Sequence, residues 1–407
     1  MGFGQPRPGR CGAVRERPAR PLPLSSVRTG GVSSGRVGVL FGGPSPEHDV
    51  SILTGLQAAR ALEAAGDSVE AIYWTKGERF VAVSPALEAN AFLDGAPKGA
   101  RELRFVAQPG GGFFEAKAGV LGKERSLELD AIVVCCHGGP GEDGTLQAAL
   151  DMAGVPYTGP GASGAALCMD KLAFGSVVAT AGLPTLPRKL VAKGAEAPQW
   201  DGPHIVKPRF GGSSIGIEVI AEWADVARYA ELGGPHTARG LVAEPYRSDA
   251  YDINVAVRAF PDVALSLFER PLRAPGKSQI FSYNDKYLGG DGMVSAPREL
   301  PAQLDAGLEK ELREAAGAVA SLAGARGVWR IDFLVAGGTG PWWVNEVNTI
   351  PGSLAKYLWV GDAAVEFPAL LADMIEEAKR RPSAQWSSMG ADGSALRSAA
   401  SIANKLG

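Results

Sequence analysis

Between residues 36 and 165 the chain alternates short solid apolar runs with apolar positions at helical spacing. Arg36-Val-Gly-Val-Leu-Phe41 is a β-branched and aromatic run ending in Gly42-Gly43, and from Val50 to Ala65 apolar side chains return every three or four positions. The pattern predicts a strand, a glycine turn and a helix. A second strand, Ser68 to Tyr73, follows Gly66, whereas Ser84 to Ser126 is Gly-rich and poorly periodic. Ala131 to Cys136 reads as a buried strand and Thr145 to Ala153 as the next helix. Strands alternating with helices predict a parallel α/β sheet.

From Lys171 the character changes. His204-Ile-Val-Lys-Pro208 and Ile215-Gly-Ile-Glu-Val219 flank the loop Arg209-Phe-Gly-Gly-Ser-Ser214, which predicts a hairpin lid. A third region alternates at Asp252-Ile-Asn-Val-Ala-Val-Arg258 and passes through an irregular stretch, Gly276 to Pro297. A helix over Ala302 to Ala323 and strands over Val328 to Val335 and Trp342 to Val347 complete it. Boundaries near 165 and 243 divide the chain into a parallel α/β unit (36–165), a lid unit (166–243) and a C-terminal unit (244–379). The flanks 1–35 and 380–407 are set aside as disordered, with only Ser394 to Leu406 weakly amphipathic. The first segment is rich in Arg, Pro, Gly and Ser and has one acidic residue, Glu16. A transit peptide or an upstream start codon misassigned in a GC-rich genome would look the same.

At 407 residues the chain has room for two or three domains of about 150 residues. Lys plus Arg is 41 and Asp plus Glu 44, a formal charge of −3, which argues against nucleic acid or an anionic membrane as the main partner. No run approaches the roughly 20 apolar residues of a membrane helix, and no signal core is present, so a cytoplasmic protein is expected. The four cysteines lack the spacing of a zinc site and read as reduced and structural.

Gly139-Pro-Gly-Glu-Asp-Gly144 satisfies G-x-G-x-x-G between a strand and a helix. A dinucleotide site needs that turn after the first strand and an acidic residue about 20 positions on, and near 164 the chain offers only Gly, Ser and Ala. A nicotinamide-dependent dehydrogenase is therefore a distant alternative. The Lys207 loop has another logic: one ammonium at a strand end, with Gly211, Gly212, Ser213 and Ser214 offering donors that can fold over phosphates. Arg330 and Asp332 share one face of a predicted strand, and Glu346 and Asn348 one face of the next. Two carboxylates and an amide oxygen on rigid strands are hard ligands suited to Mg²⁺ on nucleotide phosphates, with Arg330 beside them for an anion.

Taken together, these segments resemble the D-alanine–D-alanine ligase family of ATP-grasp carboxylate–amine ligases. The resemblance runs in order through Gly42-Gly-Pro-Ser-Pro-Glu-His-Asp-Val-Ser51, His137-Gly-Gly-Pro-Gly-Glu-Asp-Gly-Thr145, Met169-Asp-Lys171, Val206-Lys-Pro208 with Gly212-Ser-Ser214, Asp285-Lys-Tyr287, Arg330-Ile-Asp332, and Asn345-Glu-Val-Asn348 with Pro351-Gly352. It implies an ATP-grasp fold of three α/β domains, with a parallel-sheet N-terminal domain and ATP held between the central and C-terminal domains. It places Lys171, Lys207 and Ser214 on the phosphates, Glu244 and Asp252 at adenine and ribose, and Lys286 on the loop covering the substrates. Asp332, Glu346 and Asn348 would hold two Mg²⁺ ions, with Mn²⁺ an acceptable substitute.

The implied chemistry is phosphoryl transfer to a carboxylate and amine attack on the acylphosphate, with Arg330 stabilising the tetrahedral oxyanion. Glu47 would bind the first amino acid's ammonium, held by Ser213 and Tyr287, with His137 near its carboxylate. A Tyr at position 287 goes with amine acceptors rather than hydroxy acids.

The departures lie at the acceptor. Where the family reads Thr-Ser-Pro-Gly-Met followed by a His-Ser pair, this chain reads Thr349-Ile-Pro-Gly352-Ser353-Leu-Ala-Lys356-Tyr357. Either Lys356 binds the acceptor carboxylate with Gly352 and Ser353 nearby, or Lys356 is solvated, Tyr357 fills the pocket and the acceptor is not D-alanine. The expected activity is ATP-dependent joining of two D-alanines for peptidoglycan. A dipeptide ligase with another acceptor is the alternative, and a non-catalytic ATP-binding module the one from a different class. Small amino acids are the expected partners, and members of the family are often homodimers.

Overall fold

The structure, a computed structural model, describes residues 35–115, 124–192, 194–232, 237–272, 297–338, 340–382, 384 and 386–397. β1 (Arg36–Gly42), α1 (His48–Ala64) and β2 (Ser68–Trp74) follow as the pattern predicts. The poorly periodic stretch then folds into β3 (Phe80–Val83), β4 (Arg101–Val106), β5 (Gly112–Glu115) and β6 (Arg125–Ser126), before β7 (Ala131–Val134). The resulting sheet has the order β6-β5-β4-β3-β2-β1-β7. Only β2, β1 and β7 are parallel, and β3 to β6 add antiparallel. The expected parallel sheet is thus a mixed one. The reason is local: Thr75 N–H donates to Arg79 O at 2.8 Å and closes a hairpin after β2, so the chain reverses with no helix to carry it across. These edge strands bury a partial apolar face around Phe80, Phe105 and Phe113, too short a pattern to show as periodicity.

Four helices, α2 (Gly139–Glu142), α3 (Thr145–Ala153), α4 (Ala162–Met169) and α5 (Lys171–Thr180), lead into a second sheet. It consists of β8 (Lys189–Val191), β9 (His204–Pro208), β10 (Glu218–Ile220) and β11 (Leu241–Pro245), ordered β10-β9-β11-β8 and antiparallel throughout. α6 (Trp223–Leu232) covers it through Val226. The hairpin is present, but β10 starts at Glu218 rather than Ile215 because Ser213, Ser214 and Gly216 turn the chain with positive φ. The boundary near 243 falls inside β11, whose pairing runs on to Pro245 opposite His204.

The third sheet, β13-β12-β16-β17, uses β12 (Ala250–Arg258), β13 (Ala264–Leu265), β16 (Val328–Ala336) and β17 (Trp342–Asn348). A small pair of β14 (Arg270–Pro271) and β15 (Arg298–Glu299) stands beside it. α7 (Ala306–Leu322) packs its buried face on Trp329, Phe333 and Val255. It starts at Ala306, not Ala302, because the Asp305 carboxylate caps the amide of Gly307 at 2.9 Å. α8 (Phe367–Arg380) returns to the N-terminal core through Leu370, Leu371 and Met374. Near the end only Ser394–Arg397 is a helix among the described residues. No described helix is long and apolar enough to cross a membrane.

Candidate active site

One cavity collects side chains from the second and third sheets and from the segments that follow β1 and β7. Its walls include Glu47, His137, Lys171, Lys207, Ser213, Ser214, Glu244, Asp252, Arg330, Asp332, Glu346, Asn348 and Gly352. Lys286 and Tyr287 lie outside the described residues.

Lys171 opens α5, whose first turn is capped by the Asp170 carboxylate at the amides of Leu172 (3.1 Å) and Ala173 (3.2 Å). Its ammonium donates to Gly211 O and stands 3.5 Å from Glu346 Oε2. Lys207 on β9 is buried, with Nζ 2.9 Å from Glu244 Oε1 and 3.4 Å from Asn345 Oδ1. Burial lowers its pKa and the Glu244 carboxylate pulls it back up. Glu244 is expected against adenine and ribose, yet its carboxylate is engaged by Lys207 and by Arg188, whose Nε is also 2.9 Å away. One oxygen of this cavity-lining carboxylate thus ties two cations together. Arg188 carries no sequence signal for this role, because its partners are reached only through tertiary contacts, and Asn345 belongs to a block of the resemblance but its pairing with Lys207 is likewise tertiary.

Across β16 and β17 the register pairs Asp332 with Glu346 and Arg330 with Asn348, with a bulge between Asp332 and Phe333. Residues directly opposite in an antiparallel pair have Cβ atoms about 5 Å apart on one face, so the two carboxylates share one wall. Asp332 accepts two hydrogen bonds from Arg330, both at 2.7 Å, and one from Asn348 Nδ2 at 3.0 Å. Burial works against the Arg330 charge, but Asp332 beside it holds its pKa above the ordinary value. Among the described residues no cluster of three or more His, Cys, Asp or Glu forms a metal cage. Two carboxylates and an amide oxygen facing two lysines suit instead a hard cation that shares its ligands with phosphates.

Ser213 donates a hydrogen bond to Glu47 Oε1, joining the lid turn to the start of α1. The fit requires glycine: a Cβ at Gly212 or at Gly138, which has φ +61°, would run into the Glu47 carboxylate. His137 is on the cavity wall, but both ring nitrogens are occupied, Nδ1 donating to Ile350 O (2.6 Å) and Nε2 accepting from Thr54 Oγ1 (2.8 Å). Burial pushes its pKa down to about 4, so the ring is neutral and braces the 350–353 turn. Because the unfolded ring takes its proton near 6.5, stability from His137 is complete above that pH and is lost as pH falls toward 4. Glu142, whose burial raises its pKa to about 7, has the opposite sign and favours the fold at lower pH. His137→Asn is expected to flatten the fall in thermal midpoint between pH 6.5 and 4 relative to the parent. Parallel pH profiles would show that His137 does not titrate on unfolding.

At the acceptor end the structure separates Lys356 from Tyr357. Ser353, Leu354 and Ala355 take successive left-handed conformations, φ 50°, 48° and 50°, and this turn aims Lys356 and Tyr357 in different directions. Lys356 Nζ lies 4.9 Å over the Phe367 ring and is not on the cavity wall, so it does not receive a carboxylate there. Ser353 is likewise off the wall, and its amide donates to Thr54 Oγ1 at 3.0 Å. Tyr357 instead faces the cavity, half-buried, with Arg298 4.5 Å from its ring centroid. Arg298 pairs with Glu269 at 2.7 Å, and Asn254 Nδ2 reaches Glu269 Oε2 at 3.3 Å. Burial pushes the Tyr357 hydroxyl up to about 12, so it remains a protonated donor. Glu269, Arg298 and Asn254 carry no sequence signal because Asn254 lies on β12, Glu269 just before β14 and Arg298 on β15, and only tertiary pairing brings them together.

This fold and this site define an ATP-dependent ligase of the ATP-grasp class. Two domain profiles, D-ala D-ala ligase N-terminus and D-ala D-ala ligase C-terminus, match residues 36–160 and 179–376. The chain is 32% identical over 362 residues to a D-alanine–D-alanine ligase of Bradyrhizobium, covering 85% of this chain and 95% of that one. It is 30% identical over 368 residues to the enzyme of Mycolicibacterium vanbaalenii, covering 85% and 97%. Among solved structures, the VanG D-Ala:D-Ser ligase of Enterococcus faecalis superposes with a TM-score of 0.70 at 25% identity, covering 85% of this chain and all (100%) of that one. The chain belongs to the D-alanine–D-alanine ligase family.

Proposed function

We propose that the protein is a cytoplasmic enzyme that joins two D-alanines at the expense of ATP, through an acylphosphate, to supply peptidoglycan synthesis. The observation that carries this reading is the convergence of Lys171 and Lys207 with Asp332, Glu346 and Asn348 on one cavity, the two carboxylates in direct register. The same reading divides the chain into three units with seams near 165 and in the turn 246–249 that follows β11.

In the first step a carboxylate oxygen of the donor attacks the γ-phosphorus and ADP leaves. Lys171 and Lys207 hold the phosphates in line and Ser214, on the left-handed turn of the lid, closes over them. Mg²⁺ held by Asp332, Glu346 and Asn348 would offset charge on the β- and γ-phosphates. In the second step the acceptor amine attacks the acyl carbon, the amine loses a proton and phosphate departs. Arg330, fixed by Asp332, faces the oxyanion that develops. Glu47 receives the donor ammonium, and Asp252 stands at the ribose end.

ADP release with D-alanine alone, and the dipeptide mass, test the reading. No ADP release with any amino acid would refute it. Tyr357 on the cavity wall favours a second reading in which the acceptor differs from D-alanine. Tyr357→Ser is expected to widen the acceptor range, changing the ratio of kcat/KM between larger amino acids and D-alanine by about tenfold. An unchanged ratio would remove Tyr357 from acceptor selection.

A further inference from the structure

Arg188 is an unusual residue to find buried. It lies in the irregular stretch before β8, its side chain only 3% exposed, and it does not line the cavity. The stretch is pinned to β17 by Val344 N donating to Pro184 O at 2.8 Å and Thr185 Oγ1 donating to Val344 O at 3.0 Å. From there the guanidinium reaches three different elements. Nη1 donates to Lys171 O on α5, Nη2 donates to Asn345 O on β17, and Nε stands 2.9 Å from Glu244 Oε1 on β11.

These partners form a pattern. Lys207 is held by two groups, the Glu244 carboxylate and the Asn345 amide oxygen. Arg188 grips both residues that hold it, the first by charge and the second through its backbone. The remaining bond goes to the backbone of Lys171, the other phosphate-facing lysine. Sharing Glu244 between two cations also leaves the trio with a net positive charge, which a Lys207–Glu244 pair alone would not have.

The fold makes room for this strut at a cost. Gly175 sits inside α5, where glycine is less favourable than alanine. A Cβ there would meet Arg188 Cδ at 2.5 Å, Nε at 2.8 Å and Cζ at 3.0 Å. The helix therefore carries a weak helix former at the position against which the guanidinium lies.

We infer that Arg188 is the positioning residue of the nucleotide site, setting Lys171 and Lys207 at the spacing the phosphates require. This rests on the assignment of those lysines to ATP made above. The strut does not touch substrate; it acts through Glu244, Asn345 and the Lys171 backbone.

The test uses the full chain and three variants, Arg188→Met, Arg188→Lys and Gly175→Ala, measuring Mg²⁺·ADP binding by calorimetry alongside the KM values for ATP and for D-alanine. Arg188→Met is expected to weaken ADP and raise KM for ATP about tenfold, with KM for D-alanine within about twofold. Arg188→Lys keeps the charge but cannot span three partners, so recovery is expected to be partial. Gly175→Ala leaves the guanidinium chemically intact and displaces it, so the same nucleotide-selective loss is expected. Parent-like ADP binding in Arg188→Met and Gly175→Ala would overturn the inference, as would equal losses for nucleotide and amino acid. Lys207→Ala serves as the control: if it too binds ADP like the parent, the nucleotide assignment fails rather than the role of Arg188.

Discussion

Lys207→Ala is expected to lower kcat/KM about a thousandfold, roughly 4 kcal/mol of transition-state stabilisation. The ammonium is buried, and its neighbours Glu244 and Asn345 fix it without filling the cavity. Charge placed in a site that excludes water stabilises a transferring phosphoryl group far more than the same charge in solvent, since it costs no reorganisation as the reaction proceeds. Removing it also leaves Glu244 paired with Arg188, so the trio of Lys207, Glu244 and Arg188 loses its net positive charge. Steady-state kinetics with ATP and D-alanine varied separately check this. A loss of less than tenfold would assign Lys207 to structure alone.

Asp332→Ala is expected to act twice. It removes a hard oxygen donor from the wall shared with Glu346 and Asn348, so activity should fall about a thousandfold and the Mg²⁺ requirement should rise. It also strips a largely buried arginine of its bidentate partner, and breaking such a pair costs about 3 kcal/mol in stability. Glu269, which also faces Arg330, offsets part of that loss. Urea unfolding and a Mg²⁺ titration of the variant separate the two effects. Full activity at ordinary Mg²⁺, or undiminished stability, would each remove one of them.

Much of this site was legible before any fold was known. Strand periodicity placed Arg330 with Asp332 and Glu346 with Asn348 on common faces, and the register of β16 and β17 agrees with it. Lys207 at the end of a strand beside a glycine-serine turn was readable for the same reason, since residue type and spacing are local properties. Glu47 and Ser213, 166 positions apart, were joined only through resemblance to a family, and they meet in the structure.

The sequence by itself determined which of the strongly periodic segments are strands or helices and which of their faces carry charge, because those follow from a repeat of two or three to four residues within one element. What lies opposite each face was decided by tertiary structure. Three left-handed residues turn Tyr357 toward the cavity and Lys356 toward Phe367, although the two are neighbours. The hairpin at Thr75 to Arg79 starts the antiparallel part of a sheet where alternation predicted parallel. Arg188 gains its role from partners on three elements, 17, 56 and 157 positions away along the chain. A periodic pattern records the direction in which a side chain leaves its own backbone, and contacts of that separation depend on how whole elements pack, which no local repeat encodes.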